Sequence, residues 1–159
     1  MFNFTATPPL SLYVHIPWCV RKCPYCDFNS HAVKDAIPEQ AYVDALLADL
    51  EHDLPAVWGR VVDTVFIGGG TPSLFSPEAI DRLLCGIRAR ITLDPGAEIT
   101  LEANPGTVDR EHVHGFRETG VNRLSIGVQS FQSNLLEKIG RIHDGRAAIR
   151  AAEAAHDAG

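Results

Sequence analysis

Three of the chain's four cysteines lie within eight positions, in the segment "HIPWCVRKCPYCDFNSH" at residues 15–31. Cysteine thiolates are soft ligands that suit zinc or iron–sulfur clusters. The C-x3-C-x2-C spacing of Cys19, Cys23 and Cys26 lets three thiolates converge on one object. In a [4Fe–4S] cluster, three cysteines leave one iron without a protein ligand, and a small molecule can bind there. The spacing therefore favours a cluster that is used for chemistry.

A zinc site is the alternative interpretation. Its fourth ligand would be His15, His31 or the distant Cys85. Structural zinc motifs usually contain two separated pairs of ligands, and this sequence lacks them. We expect His15 to support the cysteine loop through a hydrogen bond. We expect Cys85 to be a buried, unreactive thiol, because leucines and isoleucine surround it in the sequence.

The elements that would position these residues alternate between strands and helices. Short apolar runs predict strands at 11–16, 61–70, 97–105 and 122–130. Helical spacing and capping signals predict helices at 38–54, 76–91, 109–120, 134–140 and 145–159. The strands are too apolar to face water on either side, which predicts a parallel sheet covered by helices. The predicted fold class is α/β, with about four βα units.

The last predicted helix ends at Gly159, where the alternation would next require a strand. A sheet of four parallel strands would leave a long apolar edge, which folded proteins normally pair or cover. We therefore expect further strands that this sequence does not contain.

Composition excludes some classes of function. The chain has 159 residues and a net charge of −6, which argues against a nucleic-acid or polybasic membrane surface. No run approaches the roughly 18 apolar residues of a membrane span. The start, "MFNFTATPPL", lacks the pattern of a signal peptide. We expect a cytoplasmic protein, in which thiols stay reduced and serve as ligands.

Polar side chains and glycines follow each of the four predicted strands. The cysteine loop follows the first strand and Gly68–Thr71 the second, while Glu102 and Asn104 lie at the end of the third and Gln129 at the end of the fourth. Parallel α/β sheets bind ligands beyond the carboxyl ends of their strands. The sequence thus predicts one binding site at this edge of the sheet.

These motifs resemble the radical S-adenosylmethionine (SAM) family. The cysteine loop after a first strand, with Tyr25 before the last cysteine, is similar to that family's signature. Together with "GGGTP" (68–72), "EANP" (102–105) and "GVQSF" (127–131), it resembles the oxygen-independent coproporphyrinogen III oxidase-like group. The resemblance implies a partial (β/α) barrel. Residues 11–159 would form the N-terminal part of the radical SAM core domain, and residues 1–10 an N-terminal extension.

The resemblance also implies the ligands. Cys19, Cys23 and Cys26 match the positions that bind a [4Fe–4S] cluster. SAM would chelate the open iron and be cleaved reductively to a 5′-deoxyadenosyl radical. The positions that match the family's SAM contacts are Tyr13, Tyr25, Gly69, Gly70, Thr71, Glu102, Gln129 and Arg141. We expect Tyr25 to pack on the adenine, Glu102 to bind ribose hydroxyls, and Arg141 to meet a carboxylate bidentately.

Phe28 separates two branches of this group. The coproporphyrinogen III dehydrogenases carry a further cysteine two residues after the last cluster ligand, where this chain has Phe28. Their segment before the first strand is also longer than the ten residues found here. Both differences favour the haem chaperone branch, which implies haem or porphyrin as a ligand and haem-accepting proteins as partners. The dehydrogenase, which decarboxylates coproporphyrinogen oxidatively, is the alternative, and the zinc-stabilised α/β binding module is a third.

Overall fold

A computed structural model describes residues 5–159 of the chain. Its strands are β1 (Leu10–Ile16), β2 (Trp18–Cys19), β3 (His31–Ala32), β4 (Val62–Gly69), β5 (Leu93–Ala103) and β6 (Arg123–Ile126). Its α-helices are α1 (Glu39–Asp53), α2 (Pro77–Arg88), α3 (Arg110–Thr119), α4 (Ser133–Lys138) and α5 (Gly145–Ala158). Short 3-10 turns cover Leu54–Val57, Pro72–Leu74 and Pro105–Thr107.

The main sheet has the order β1-β4-β5-β6, and every pair of neighbours is parallel. From β4 onward, each strand of the main sheet therefore pairs with the main-sheet strand that precedes it in the chain, as in a (β/α) barrel. This confirms the predicted α/β class and its four βα units. The fourth strand is shorter than predicted, because it ends at Ile126 and not at residue 130.

One face of the sheet packs against the helices and forms the core. Side chains of alternate residues on β1, β4 and β5 are buried there, and α2 and α3 contribute Leu84 and Phe116, both with 0% exposure. Alternation places every second side chain of a strand on the same face. The largest fully buried side chains are Phe75, Phe116, Ile16, Ile67, Ile80, Leu83, Leu84, Ile87, Leu101, Leu136, Val43 and Val62.

The opposite face of the sheet is polar, so the prediction of strands buried on both faces is wrong. Tyr13 is 56% exposed, and the side chains of Glu98 and Arg123 are exposed as well. Arg123 donates hydrogen bonds to the Glu98 carboxylate and to the Thr100 hydroxyl, each at 3.3 Å. The apolar content of a run does not distinguish the two faces of a strand, because the alternate positions decide which face each side chain occupies.

Three of the five α-helices begin at polar caps. The Ser76 hydroxyl accepts from the Ala79 amide at the start of α2, and Asp109 and Asp144 play the same role for α3 and α5.

The longest helix, α1, has 15 residues, against the roughly 20 that cross a bilayer. No helix in residues 5–159 has the length and hydropathy of a membrane span.

Candidate functional site

The carboxyl ends of β4, β5 and β6 and the loop that follows β1 surround a cavity of about 370 Å³. Its walls come from the loop after β1, the glycine-rich loop after β4, the end of β5, and the segments after β6 and α4. The lining residues are Cys19, Arg21, Cys23, Tyr25, Cys26, Phe28, Gly69, Gly70, Thr71, Glu102, Ala103, Asn104, Ser125, Ile126, Gly127, Gln129 and Arg141. The structure thus brings together all the predicted site residues except Tyr13.

The cysteine loop is closed at its base by the short parallel pair of β2 and β3. The His31 amide donates to the Pro17 carbonyl at 2.7 Å, and the Val33 amide donates to the Cys19 carbonyl at 2.8 Å. A turn in which the Cys26 amide donates to the Cys23 carbonyl at 3.1 Å links the second and third cysteines. All three thiols are free, Cys19 is buried, and the other two are half-buried.

His15 supports this loop, as the sequence predicted. Its Nε2 lies 2.8 Å from the Asn29 carbonyl oxygen, and its Nδ1 lies 3.0 Å from the Tyr13 hydroxyl. A carbonyl oxygen only accepts, so Nε2 carries the proton and Nδ1 accepts from the tyrosine. His15 therefore connects the end of the loop, just before β3, to β1, and both of its ring nitrogens are used.

The glycine-rich loop packs directly against the start of the cysteine loop. The Gly70 amide donates to the Ile16 carbonyl at 2.8 Å, and the Thr71 amide donates to the Trp18 carbonyl at 2.7 Å. A Cβ on Gly70 would lie 2.5 Å from the Trp18 carbonyl oxygen, which is closer than atoms can approach. Gly69 has a φ of +114°, a conformation that glycine adopts without strain.

Glu102 and Gln129 face the cavity from the ends of β5 and β6. The Gly69 amide donates to Glu102 Oε2 at 3.0 Å, and Oε1 has no hydrogen-bond partner among residues 5–159. Gln129 is exposed and has a φ of +64°. No other non-glycine residue among residues 5–159 has a positive φ. Residues other than glycine rarely adopt this conformation, and those that do cluster at functional sites.

Arg141 crosses the cavity from the far end of α4 to the cysteine loop. Its Nη1 donates to Cys23 Sγ at 3.7 Å and to the Tyr25 hydroxyl at 3.5 Å, while Nη2 donates to the Gly127 carbonyl. Its Nε is buried without a partner in the described chain. Arg141 is therefore fixed by the site and is not a solvated charge at a helix end.

The two tyrosines differ in position. Tyr25 is at the cavity wall; partial desolvation raises the pKa of its phenol, contact with Cys23 adds to the effect, and Arg141 opposes it. Tyr13 lies on the polar face of the sheet, with its ring stacked on Phe66 at a centroid distance of 6.2 Å. Burial and the nearby Glu102 charge raise the pKa of Tyr13.

His143 lies at the site although no sequence pattern indicates it. This residue is only 7% exposed, and its ring nitrogens lie 3.2 Å from Asn104 Oδ1 and 3.1 Å from the Val128 carbonyl. It links the turns that follow β5 and β6, beside Gln129. Nothing in "GRIHDG" distinguishes this histidine from a surface one, because its partners are distant in sequence.

The prediction for Cys85 is wrong. Cys85 is exposed on α2, with its Sγ 3.7 Å from Asp81 Oδ1 one turn away. The apolar neighbours Leu83, Leu84 and Ile87 lie on the buried face of α2, and the helical rotation places Cys85 on the outer face.

The zinc alternative has no support in the side-chain arrangement. Within residues 5–159, no three His, Cys, Asp or Glu side chains come together as ligands of a single metal ion. Structural zinc requires four ligand atoms at about 2.0–2.3 Å from one ion. A [4Fe–4S] cluster binds each thiolate at a separate iron, so its cysteine ligands need not meet at a single point.

The strand-end cavity, the three-cysteine loop and the sequentially ordered parallel sheet define the class of protein. The chain belongs to the Radical SAM superfamily, whose family model matches residues 13–159. This family implies a [4Fe–4S] cluster and SAM as ligands in general.

Several sequence relatives of this chain are heme chaperones named HemW. The heme chaperone HemW of Escherichia coli (strain K12) is 57% identical over 152 residues, which cover 96% of this chain and 40% of that protein. HemW of Haemophilus influenzae is 55% identical over 141 residues, covering 86% of this chain and 37% of the relative. HemW of Bacillus subtilis (strain 168) is 38% identical over 152 residues, covering 94% and 39%. The chain thus spans about two-fifths of the length of these relatives.

Solved structures agree on the fold. Coproporphyrinogen III oxidase (HemN) from Escherichia coli, described as a radical SAM enzyme, superposes with a TM-score of 0.86 and 33% identity. The match covers 95% of this chain and 35% of HemN. The cobalamin-dependent radical enzyme OxsB has a TM-score of 0.61 at 13% identity, covering 91% of this chain and 22% of OxsB, which shows similarity of fold alone.

Proposed function

We propose that this chain is part of a haem chaperone of the HemW kind, which holds a [4Fe–4S] cluster and SAM in the strand-end cavity. The observation that carries the proposal is that three free thiols of the loop after β1 line the same cavity as the carboxyl ends of β4, β5 and β6. We also propose that residues 11–159 form the N-terminal part of the radical SAM core and that residues 1–10 are an extension. A cluster needs reduced thiols, which supports a cytoplasmic location.

Cys19, Cys23 and Cys26 would hold the cluster, which when bound supplies an electron to SAM. The buried Arg141 Nε and the free Glu102 Oε1 are polar atoms at the site that lack protein partners within residues 5–159, and they fit a polar ligand. The proposed SAM contacts are Tyr13, Tyr25, Gly69, Gly70, Thr71, Glu102, Gln129 and Arg141. Nη1 and Nη2 of Arg141 already donate to protein acceptors, so a carboxylate could bind Arg141 bidentately only if the guanidinium gave up one of these contacts.

The choice of haem chaperone over coproporphyrinogen dehydrogenase rests on two observations. The HemW relatives reach 57% identity, whereas HemN is 33% identical. Phe28, at the position of the extra cysteine of the dehydrogenases, is 61% exposed and lines the cavity. An apolar side chain there cannot ligate metal. Haem, and the proteins that accept it, are therefore the proposed ligand and partners.

The cluster is tested by a pair of cysteine variants. Anaerobically reconstituted, dithionite-reduced protein should give the electron paramagnetic resonance (EPR) signal of a [4Fe–4S] cluster, and SAM should shift it. Cys23→Ser should lose this signal because one thiolate is missing. Cys85→Ser, which removes an exposed thiol on α2, should keep both the signal and the iron content. Stoichiometric zinc in place of iron, or equal loss in both variants, would refute the cluster assignment.

The haem role is tested separately. Haemin titration followed by absorbance should show saturable binding, and the haem-loaded protein should pass haem to an apo-haemoprotein in the same cuvette. Anaerobic incubation with coproporphyrinogen III and SAM should yield no protoporphyrinogen. Sustained protoporphyrinogen formation would overturn the chaperone assignment in favour of the dehydrogenase.

A further inference from the structure

Arg141 contacts a proposed cluster ligand. Its Nη1 lies 3.7 Å from the sulfur of Cys23, a residue 118 positions away in the chain. The same nitrogen contacts the Tyr25 hydroxyl at 3.5 Å, one residue before Cys26. The guanidinium is thus directed at the middle of the cysteine loop.

The remaining contacts of Arg141 fix the guanidinium in this position. Nη2 donates to the Gly127 carbonyl, which lies just after β6, and the Nε atom is fully buried. Arginine presents its donors in a rigid planar fork, so anchoring one nitrogen also fixes the direction of the others. The contact with Cys23 therefore follows from the anchored position of Arg141.

A cationic donor on a thiolate has a definite electronic effect on a cluster. Reduction adds one negative charge to the cluster and its sulfurs, and a nearby guanidinium stabilises that charge. Hydrogen bonds to cluster sulfurs, net charge and solvent exposure are the features by which proteins set the reduction potential. Charge-assisted hydrogen bonds are roughly twice as strong as neutral ones.

We propose that Arg141 is a positioning residue that donates to the Cys23 sulfur and raises the reduction potential of the cluster in the absence of SAM. This rests on the proposed function, because it requires Cys23 to bind the cluster. It goes beyond a SAM contact, since a residue that only bound SAM would leave the potential of the SAM-free cluster unchanged.

The experiment is an EPR-monitored redox titration of the reconstituted protein without SAM. In Arg141→Gln, the ratio of reduced to oxidised cluster at a fixed potential should fall about tenfold, which corresponds to about 59 mV for a one-electron couple. The reduction potential of Arg141→Lys should lie between those of Arg141→Gln and the wild type, because lysine keeps the positive charge but lacks the planar fork of donors. EPR counts only clusters that are present, so partial occupancy does not prevent the measurement.

Arg21→Gln is the matched control. Arg21 lines the same cavity and is exposed, and no hydrogen bond from it to a cysteine sulfur exists within residues 5–159. Arg21→Gln removes the same charge but no hydrogen bond to sulfur, and solvent screens the exposed charge, so its shift in potential should be less than half of that in Arg141→Gln.

Three results would overturn the inference. Unchanged potentials in both Arg141 variants with weakened SAM binding would make Arg141 a SAM contact only. Unchanged potentials with reduced iron content would show that Arg141 only holds the cysteine loop in place. Equal shifts in Arg21→Gln and Arg141→Gln would show a general charge effect. Failure of the wild-type protein to form a cluster would instead refute the proposed function.

Discussion

At the residue scale, His143 has two partners that are both acceptors. The Val128 carbonyl and Asn104 Oδ1 face its two ring nitrogens, and Asn104 Oδ1 already accepts from the Gly106 amide at 3.0 Å. A neutral imidazole carries one N–H and satisfies one acceptor, whereas a charged ring would satisfy both. Against this, burial lowers the pKa of His143, and the Arg141 charge acts in the same direction. The Val128 contact and Asp144 act in the opposite direction.

We expect acid to destabilise the fold through His143. Because the folded pKa is lowered, the unfolded chain binds this proton at a higher pH than the folded chain does. The contribution to stability is complete above the ordinary histidine pKa of about 6.5 and is lost as the pH falls through the lowered value. Urea unfolding between pH 8 and 5 should show a shallower pH dependence in His143→Gln than in the wild type.

The exposed His114→Gln is the control for this measurement and should retain the wild-type pH dependence. A wild-type protein that gains stability on acidification, with the gain abolished in His143→Gln, would contradict the expectation. It would mean that the charged ring, with both acceptors satisfied, outweighs the cost of its burial.

At the scale of the elements, one serine joins the starts of two helices. Ser76 caps α2 by accepting from the Ala79 amide at 3.2 Å. Its hydroxyl donates to Glu39 Oε2 at 2.6 Å, and its amide donates to Glu39 Oε1 at 3.0 Å. Glu39 is the first residue of α1, so its carboxylate lies at the positive ends of two helix dipoles.

We expect Ser76→Ala to lower the free energy of unfolding by about 1–2 kcal/mol, because it removes the cap and one charge-assisted hydrogen bond. Urea unfolding monitored by circular dichroism measures the change. Ser133→Ala is the matched control: Ser133 is exposed at the start of α4, whose N-cap makes no side-chain hydrogen bond, and the change should stay within about 0.5 kcal/mol. Equal effects of the two substitutions would show that the Ser76 cap contributes nothing specific.

The sequence predicted the elements better than their ends and faces. Each predicted strand and helix has a counterpart, because hydrophobic periodicity and caps such as Ser76 are local signals. The fourth strand ends early because the Gly127 carbonyl is taken by Arg141 and Gln129 turns to a positive φ, and neither is a local property. The β2–β3 pair has two residues per strand, which is too short to show a sequence pattern.

The cavity was predictable because carboxyl ends of parallel strands converge, whereas the contact between Arg141 and Cys23 depends on side-chain packing across 118 positions.

At the scale of the whole molecule, the main sheet has two edges, β1 and β6. The polar face beside β1 is open in the described chain, with Ser11 and Tyr13 exposed. An unpaired strand presents free amide and carbonyl groups that can pair with another chain. The sheet is therefore able to associate through β1.

We expect the 159-residue chain by itself to self-associate as its concentration rises, which sedimentation velocity would detect. Ser11→Lys places a charge on the edge strand and should reduce association, since lysine at edges opposes strand pairing. Ser133→Lys adds the same charge on α4, away from the sheet, and should have little effect. A monodisperse monomer at every concentration would contradict the expectation.

The sequential strand order has a consequence for the protein during its synthesis. Each main strand has its partner in place before the next leaves the ribosome, so the sheet can assemble one strand at a time from the amino-terminal end. The cysteine loop and the Gly70 contact that fixes it are complete once β4 has emerged, while Arg141 emerges about seventy residues later, or roughly 4–14 s at common rates of translation. A nascent chain would thus present its three thiols to iron before the guanidinium arrives to cover Cys23. The order of translation therefore sets an interval in which the three thiols are present without the Arg141 side chain beside Cys23.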